Sequence, residues 1–274
     1  MTFIITLIAL IIERFFDWSH VRQWHWFTTY QAWLVTRVSR LHPYLALLVC
    51  VLPPLLVVGL LDLLLSDAFY LVKLIFDTGI LIYCLGPNNF WAQVYACIKV
   101  LHNEDPQVAM ASAQKLFGIT LDENPLTFHT LFTNAIFIEA NRRVFAVFFW
   151  FVLLGPVGAM LYRLIDLCKL RSITAKFAAT QMQGILDWLP VRMLAFFFAL
   201  GGHFTAVIHH WKRGVWSAPV ANDVFLTDCG IAALDILELQ VLPIDGSAEK
   251  ETLALLDRTF IILLVILAIG VLLI

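Results

Sequence analysis

A long apolar run between residues 44 and 61 constrains this chain more than any other feature. After the single charge of Asp62, the run continues to Leu65. About 22 helical residues extend for about 33 Å, close to the roughly 30 Å hydrocarbon core of a bilayer. Pro53 and Pro54 lie inside the run and predict a kink or a split into two half-helices.

The composition points to the same environment, because only 14% of the residues are charged, against roughly 25% in a soluble domain. The mean hydropathy of +0.86 also requires an apolar solvent outside the core. We therefore predict an all-α fold: a polytopic helical membrane protein with cytoplasmic helical segments.

Further apolar runs predict additional membrane segments, at residues 68–85, 144–161, 191–208 and 259–274. Only Ser66 and Asp67 separate the first of them from the preceding run, which predicts an antiparallel hairpin.

Two charged residues, Lys73 and Asp77, lie four positions apart in the 68–85 run. We expect them to form a neutralising pair rather than an intramembrane polar site. Residues 1–12 are short and lack a cleavage site, so we expect them to lie against other helices or to insert partly.

The polar stretches have helical periodicity, and strand-like alternation is nearly absent. Asp105-Pro106 predicts a helix that ends at Gly118, and the segment 122–125 predicts another that leads toward Glu139.

No linker or repeat divides the chain. We expect a single helical membrane domain over residues 1–274, with polar helical segments at about 86–143 and 209–258. Residues 163–189 suit one amphipathic helix broken near Gly184.

Basic residues give no clean positive-inside signal, because the stretches 13–43, 86–143, 163–189 and 209–258 hold four Lys or Arg each. We favour an arrangement in which nearly all of them are cytoplasmic. This requires the 144–161 and 191–208 runs to be re-entrant or core-buried. The alternative places residues 163–189 on the non-cytoplasmic side of the membrane, where basic residues are disfavoured.

Several classes of function lack their sequence signatures. The net charge of −2 gives no reason to expect a nucleic-acid partner. The five cysteines are scattered singly, which favours small buried apolar residues over a disulfide framework or a zinc site. The eight histidines do not have metal-chelating spacing, so we predict no metal, and the sequence assigns no cofactor.

Ionisable residues beside the apolar runs form the candidate site. Glu139 lies three and four residues before Arg142 and Arg143, which predicts either an interfacial ion pair or an anion clamp for a phosphate or carboxylate. Arg163 and Asp166 are spaced to pair on a helix. The candidate polar pocket comprises Glu13, Arg14, Glu139, Asn141, Arg142, Arg143, Arg163, Asp166, Asp187 and Arg192.

The charged ends of the 144–161 run meet only if that run is bent, since a straight helix would separate them by about 27 Å. Gly155-Pro156 is the expected bend. With it, we predict that Glu139, Arg142, Arg163 and Asp166 converge on one cavity. Separate interfacial pairs on a straight span are the alternative.

Several motifs give the chain a resemblance to the AmpE family of bacterial inner-membrane proteins. They are Glu13-Arg14-Phe15, the 137–150 stretch around Glu139-Ala140-Asn141-Arg142-Arg143, Leu154-Gly155-Pro156-x-Gly158-Ala159, Tyr162-Arg163 and Leu186-Asp187-Trp188-Leu189-Pro190-Val191-Arg192. The resemblance implies a multi-pass protein of the bacterial inner membrane that affects β-lactamase induction.

The chain is also similar, in part, to the CobD and CbiB type of cobalamin-pathway membrane synthases, which join an aminopropanol unit to a corrinoid carboxyl. Three features carry this likeness: Asp105 before a short helix, the stretch from Leu154 to Arg163, and Asp187-Trp188-x-Pro190-x-Arg192. The chain departs from that family by lacking a Pro-His-Pro-Val motif and by having Arg142 and Arg143 where acidic residues are expected.

Three functions follow from these resemblances. The leading hypothesis is a regulatory or signalling protein linked to β-lactamase induction and peptidoglycan recycling. The alternatives are a membrane enzyme related to the amide-forming synthases and a small-solute transporter. The expected partners are the lipid bilayer, a small anionic or muropeptide-like ligand and further copies of the chain.

Overall fold

The computed structural model describes residues 2–15, 24–38, 41–66, 70–85, 89–103, 111, 114, 117, 125–171, 175–234 and 246–272. These ranges contain helices and no strand. The helices are α1 (Thr2–Phe15), α2 (His25–Val38), α3 (Pro43–Leu64), α4 (Tyr70–Cys84), α5 (Phe90–Asn103), α6 (Pro125–Ala140), α7 (Ala146–Arg171), α8 (Lys176–Gly201), α9 (Phe204–Gly214), α10 (Asn222–Leu234) and α11 (Ser247–Leu272). A π-helical turn, Asn141–Phe145, joins α6 to α7, and a 3-10 turn, Pro219–Ala221, precedes α10.

Within the described ranges, four helical stretches are long and apolar enough to cross a membrane. They are Pro43–Leu64, Phe128–Leu170, Lys176–Gly201 and Ser247–Gly270. The prediction of an all-α, multi-pass membrane protein is therefore confirmed.

The first membrane helix, α3, begins at Pro43, where a proline costs little because the first N–H groups of a helix have no intrahelical partner. Pro53 and Pro54 lie inside one continuous helix, so the predicted split into two half-helices is wrong. The helix packs closely against α7 at Gly59. A Cβ atom added to this glycine would lie 3.8 Å from Cγ2 of Val157, which is an ordinary contact distance.

The start of α8 differs from the prediction. The helix begins at Lys176 and continues through Gly184 without interruption, so the predicted break near Gly184 is wrong. A glycine inside a helix costs only about 1 kcal/mol, and the packing of a long helix exceeds that cost. The preceding helix, α7, ends at Arg171.

The end of α8 is set by a tertiary contact. A Cβ at Gly202 would lie 2.5 Å from the carbonyl oxygen of Ala233 on α10, and the His203 N–H donates to that oxygen at 3.0 Å. The chain therefore leaves the helix here and starts α9 at Phe204. The predicted bounds of the 191–208 membrane segment are wrong, because the apolar run is divided between two helices, the first of which is the candidate span Lys176–Gly201.

The C-terminal helix is longer than its apolar run. The structure joins the predicted polar arm and the 259–274 segment in one helix, Ser247–Leu272. Ala248, Glu249 and Thr252 in its first turns are fully buried. The polar residues Glu249 and Thr252 are thus buried in the same helix as the apolar run, whereas hydropathy placed them in a separate polar segment.

The predicted bend in α7 is confirmed at Gly155, whose φ of 66° and ψ of −155° interrupt the helix. Those angles are accessible to glycine and strained for other residues. The chain bends so sharply that a Cβ at Gly158 would lie 2.3 Å from the carbonyl oxygen of Trp150.

The chain forms two compact units. In the first, residues 1–89 and 144–188, α7 packs against α3 and α4, and α1 packs against α4 and α7. Ile5, Thr6 and Ala9 are buried, so the expectation that the N-terminal segment lies against other helices is confirmed.

The predicted pair on α4 is present, because Lys73 lies 3.2 Å from Asp77. Lys73 also binds Asp62 on α3.

In the second unit, residues 90–143 and 189–274, α6 packs against α5, α10 and α11. The rings of Phe137 and Phe198 lie 4.9 Å apart, and a Cβ at Gly230 would lie 2.4 Å from the Phe137 ring. Close packing on glycine fixes α10 against α6.

The predicted helix after Asp105 lies outside the described residues, except for isolated positions.

Candidate functional site

Glu139 lies in the last turn of α6, and Asn141, Arg142 and Arg143 lie in the π-helical turn that follows. A π-helical turn holds more residues per turn than an α-helix and is frequent at functional sites. It places three polar side chains of the candidate site on one irregular segment.

Glu139 binds both arginines. Its Oε1 lies 2.7 Å from Nη2 of Arg142, and its Oε2 accepts a hydrogen bond from Nε of Arg143. Arg143 also donates from Nη1 to Oε1 of Gln93 on α5, at 2.7 Å. The predicted pairing of Glu139 is confirmed. The contribution of Gln93 was missed because it lies 50 residues away in sequence.

Two positive charges face one negative charge within this trio. The side chains of Glu139 and Arg143 are 8% and 10% exposed, whereas that of Arg142 is 21% exposed. The Arg142 side chain is therefore the most exposed of the three. A fixed planar guanidinium suits the two oxygens of a carboxylate or phosphate.

Arg192 on α8 binds the loop between α9 and α10. Its Nε donates to the Val215 carbonyl at 3.1 Å, its Nη2 donates to the Ser217 carbonyl and hydroxyl at 2.9 and 2.8 Å, and its Nη1 donates to Asn222. The guanidinium also lies 4.9 Å from the ring centroid of Phe225. These contacts give Arg192 a structural role that sequence spacing did not predict.

Arg163 and Asp166 form a buried pair in the second half of α7, with Nη1 and Oδ2 2.7 Å apart. Both residues are almost fully buried. The predicted pairing is confirmed, and burial favours a role inside the first unit.

Asp187 on α8 is held by two neighbours. Tyr162 donates from its hydroxyl to Oδ1 at 2.7 Å, and Gln183 donates from Nε2 to Oδ2 at 3.2 Å. Asp187 thus belongs to a hydrogen-bonded group in the first unit. Tyr162 neighbours Arg163 in the sequence, but no spacing rule connects it to Asp187.

A further buried contact between ionisable side chains was missed by sequence reasoning. Nδ1 of His129 on α6 lies 2.9 Å from Oε1 of Glu249 on α11, and the hydroxyls of Thr133 and Thr252 lie 3.5 Å apart. His129 and Glu249 are separated by 120 positions, so no local motif could have indicated their contact.

The candidate residues thus form several groups rather than the single pocket that the sequence predicts. Glu139, Asn141, Arg142 and Arg143 lie on one segment of the second unit, with Arg192 elsewhere in that unit. Arg163, Asp166 and Asp187 lie in the first unit. Glu13 and Arg14 lie on α1, and their side chains are outside the described part of the structure. Convergence of Glu139 and Arg163 on one cavity stays a prediction.

A family model described as "Regulatory signalling modulator protein AmpE" matches residues 1–272. The chain is also similar to proteins named cobalamin biosynthesis protein CobD. The protein of Chromobacterium violaceum is 25% identical over 178 residues, which cover 61% of this chain and 56% of that protein. The protein of Stutzerimonas stutzeri is 27% identical, covering 36% of this chain and 35% of that protein.

A probable CobD of Archaeoglobus fulgidus is 31% identical over 34% of this chain and 31% of that protein. The chain therefore matches little more than half the length of these curated relatives at most. No solved structure matches it.

Proposed function

Because the chain belongs to the AmpE family, we propose that it is a regulatory or signalling protein of the bacterial inner membrane, linked to β-lactamase induction and peptidoglycan recycling. The family match over residues 1–272 supports the regulatory role. The four apolar helical stretches support the multi-pass membrane location.

The observation that carries a signal-binding role is the arrangement of Glu139, Arg142 and Arg143. The two guanidiniums lie beside one carboxylate on the same turn, and planar guanidiniums are suited to the oxygens of a carboxylate or phosphate. Because the site is largely desolvated, a carboxylate or phosphate gains more from binding there than it would on an open surface. We propose a small anionic or muropeptide-like ligand, bound through Arg142.

The test compares β-lactamase induction in a deletion strain that carries the intact protein, Arg142→Ala or Arg258→Ala. Arg258 lies on the exposed side of α11 and donates to the Ala254 carbonyl at 3.2 Å, so it serves as a control for loss of an arginine. We expect Arg142→Ala to lose the effect on induction at unchanged protein level. Full rescue by Arg142→Ala would remove Arg142 from the mechanism.

A second candidate is a membrane enzyme related to the cobalamin-pathway synthases. The sequence similarity to proteins named for cobalamin biosynthesis favours it. Against retention of that chemistry, Arg192 of the shared Asp187-Trp188-x-Pro190-x-Arg192 motif is engaged by the loop at Val215 and Ser217. Complementation of a cobalamin-requiring strain that lacks the CobD relative tests this candidate: growth without added cobalamin supports the enzyme.

A further inference from the structure

Two cysteines that are far apart in sequence meet where α3 packs on α7. Sγ of Cys50 and Sγ of Cys168 lie 3.5 Å apart. A second contact, between Gly59 and Val157, lies farther along both helices, so the chains of α3 and the second half of α7 run antiparallel. The thiol pair is therefore fixed by an extended helix contact and not by one flexible side chain.

The side chain of Gln31 on α2 completes the group. Its Nε2 lies 3.4 Å from Sγ of Cys168 and 3.8 Å from Sγ of Cys50. The Cys168 thiol also donates to the Cys50 sulfur. The Cys50 sulfur thus accepts from two donors, which is the environment that stabilises charge on a sulfur atom during a thiol reaction.

The pair lies near one end of both helices. Cys168 precedes Arg171, the last residue of α7, by three positions, about 4.5 Å along the axis. Cys50 follows Pro43, the first residue of α3, by seven positions, about 10 Å. Both cysteines and Gln31 are buried, with exposed fractions of at most 6%. Such burial excludes a charged, water-soluble reagent, so an oxidant of this pair has to be small and apolar.

We propose that Cys50 and Cys168 form an oxidisable dithiol, which a lipid-soluble two-electron oxidant of the quinone class converts into a disulfide between α3 and α7. Two S–H bonds break and one S–S bond forms. The two electrons and two protons pass to the quinone, which becomes a hydroquinone. The sulfur atoms move from 3.5 Å apart to the roughly 2.0 Å of a disulfide.

The disulfide would act on a neighbouring cavity of about 340 Å³. Leu47, Val51 and Ile165 line this cavity and lie within one helical turn of the two cysteines. Oxidation therefore fixes the spacing of α3 and α7 at the edge of an apolar space.

The experiment counts free thiols on the full-length protein in native membranes. Membranes are treated with tetramethylbenzoquinone, which has no free ring position for thiol addition, and are then denatured and labelled with a maleimide that adds a fixed mass per thiol. The chain has five cysteines. We expect five tags before oxidation, three after it and five again after reduction with dithiothreitol, on a chain that stays monomeric in a non-reducing gel.

Two variants assign the loss to this pair. Cys84→Ser, which removes another buried cysteine, starts at four tags and should fall to two. Cys168→Ser also starts at four and should stay at four. Five tags on the oxidised wild-type chain would overturn the proposal, as would a loss of two tags from Cys168→Ser or a dimer linked by a disulfide.

Gln31 is a positioning residue in this proposal, since its amide donates to both sulfurs. Gln31→Leu keeps a buried side chain of similar size but removes the donor. We expect tag loss to be several-fold slower in Gln31→Leu than in the wild type, with the same endpoint of three tags. Equal rates would show that the amide does not assist oxidation.

Discussion

At the scale of single residues, most buried charges of the described chain are balanced within one or two helical turns. Arg163 pairs with Asp166, Lys73 with Asp77, and Glu139 with two arginines. Such pairs need no tertiary information, because residues three or four apart share a helix face. A buried ion pair is costly to break, since removing one partner leaves the other desolvated.

Glu139→Gln is expected to destabilise the protein, because it leaves the buried Arg143 and the partly buried Arg142 without the carboxylate that they share. Breaking a buried ion pair costs about 3–5 kcal/mol, which lowers the thermal unfolding midpoint by roughly 10 °C in a chain of this size. The midpoint is measured on protein purified in detergent. Glu251→Gln, at an exposed position of α11, removes the same charge and should leave the midpoint unchanged. Equal midpoints for Glu139→Gln and the wild type would contradict the shared pairing.

The sequence could predict these local pairs but not the long-range ones. Helix spacing alone connects Glu139 to Arg142 and Arg163 to Asp166. His129 with Glu249, and Cys50 with Cys168, come together only because separate helices pack, over separations of 120 and 118 positions. In the sequence the cysteines are isolated and therefore suggested inert apolar residues. Only the contact between α3 and α7 brings Cys50 next to Cys168.

At the scale of elements, glycines decide where helices bend and end. Gly155 was recognised from sequence because proline follows it. The end of α8 just before Gly202 was not recognised, because its cause is the approach of Ala233 from another helix. Hydropathy predicted where helices exist, whereas their boundaries depend on contacts that a single segment does not encode.

Gly155→Ala is expected to destabilise the bend in α7. Nothing lies within 4 Å of the added Cβ, so the cost comes from the backbone conformation at φ 66° and not from a clash. Such a conformation costs about 1–3 kcal/mol in a residue other than glycine. Gly79→Ala on α4 is the matched control, because its Cβ also meets nothing but its backbone is helical. Thermal unfolding should show a lower midpoint for Gly155→Ala and an equal or higher one for Gly79→Ala. The reverse order would exclude backbone strain at Gly155.

The loop between α9 and α10 should loosen when Arg192 is shortened. Arg192→Lys keeps the charge but cannot donate at once to Val215, Ser217 and Asn222. Trypsin cleavage after Arg213, at the end of α9, should become several-fold faster in detergent. Arg258→Lys, which has a single backbone contact within its own helix, should digest at the wild-type rate. An unchanged rate in Arg192→Lys would mean that other contacts hold the loop.

At the scale of the whole molecule, the stretch Phe128–Leu170 is too long for one straight membrane crossing. Its 43 residues would extend for about 64 Å, twice the hydrocarbon core. The interruption at Gly155 explains how so long a stretch fits, because it divides the stretch into two shorter helical segments. The apolar windows of Phe128–Leu170 and Lys176–Gly201 are 56% and 50% buried, against 28% in Pro43–Leu64 and Ser247–Gly270. More of the two central stretches is therefore buried inside the protein, and the re-entrant arrangement stays a prediction.

The side of the membrane on which α8 begins follows from that arrangement. If the run that bends at Gly155 returns to the face it entered from, Lys176 lies on the cytoplasmic side with the other basic residues. A cysteine introduced as Lys176→Cys should then resist a membrane-impermeant thiol reagent in intact cells and react after the cells are opened.

The native cysteines interfere little with this measurement, because all five are buried. Burial also raises the pKa of the Cys229 thiol to about 12, so it stays protonated and unreactive at neutral pH. The parent chain, treated in the same way, gives the background. Ready labelling of Lys176→Cys in intact cells would place the start of α8 outside, which requires the stretch Phe128–Leu170 to cross the bilayer despite its bend.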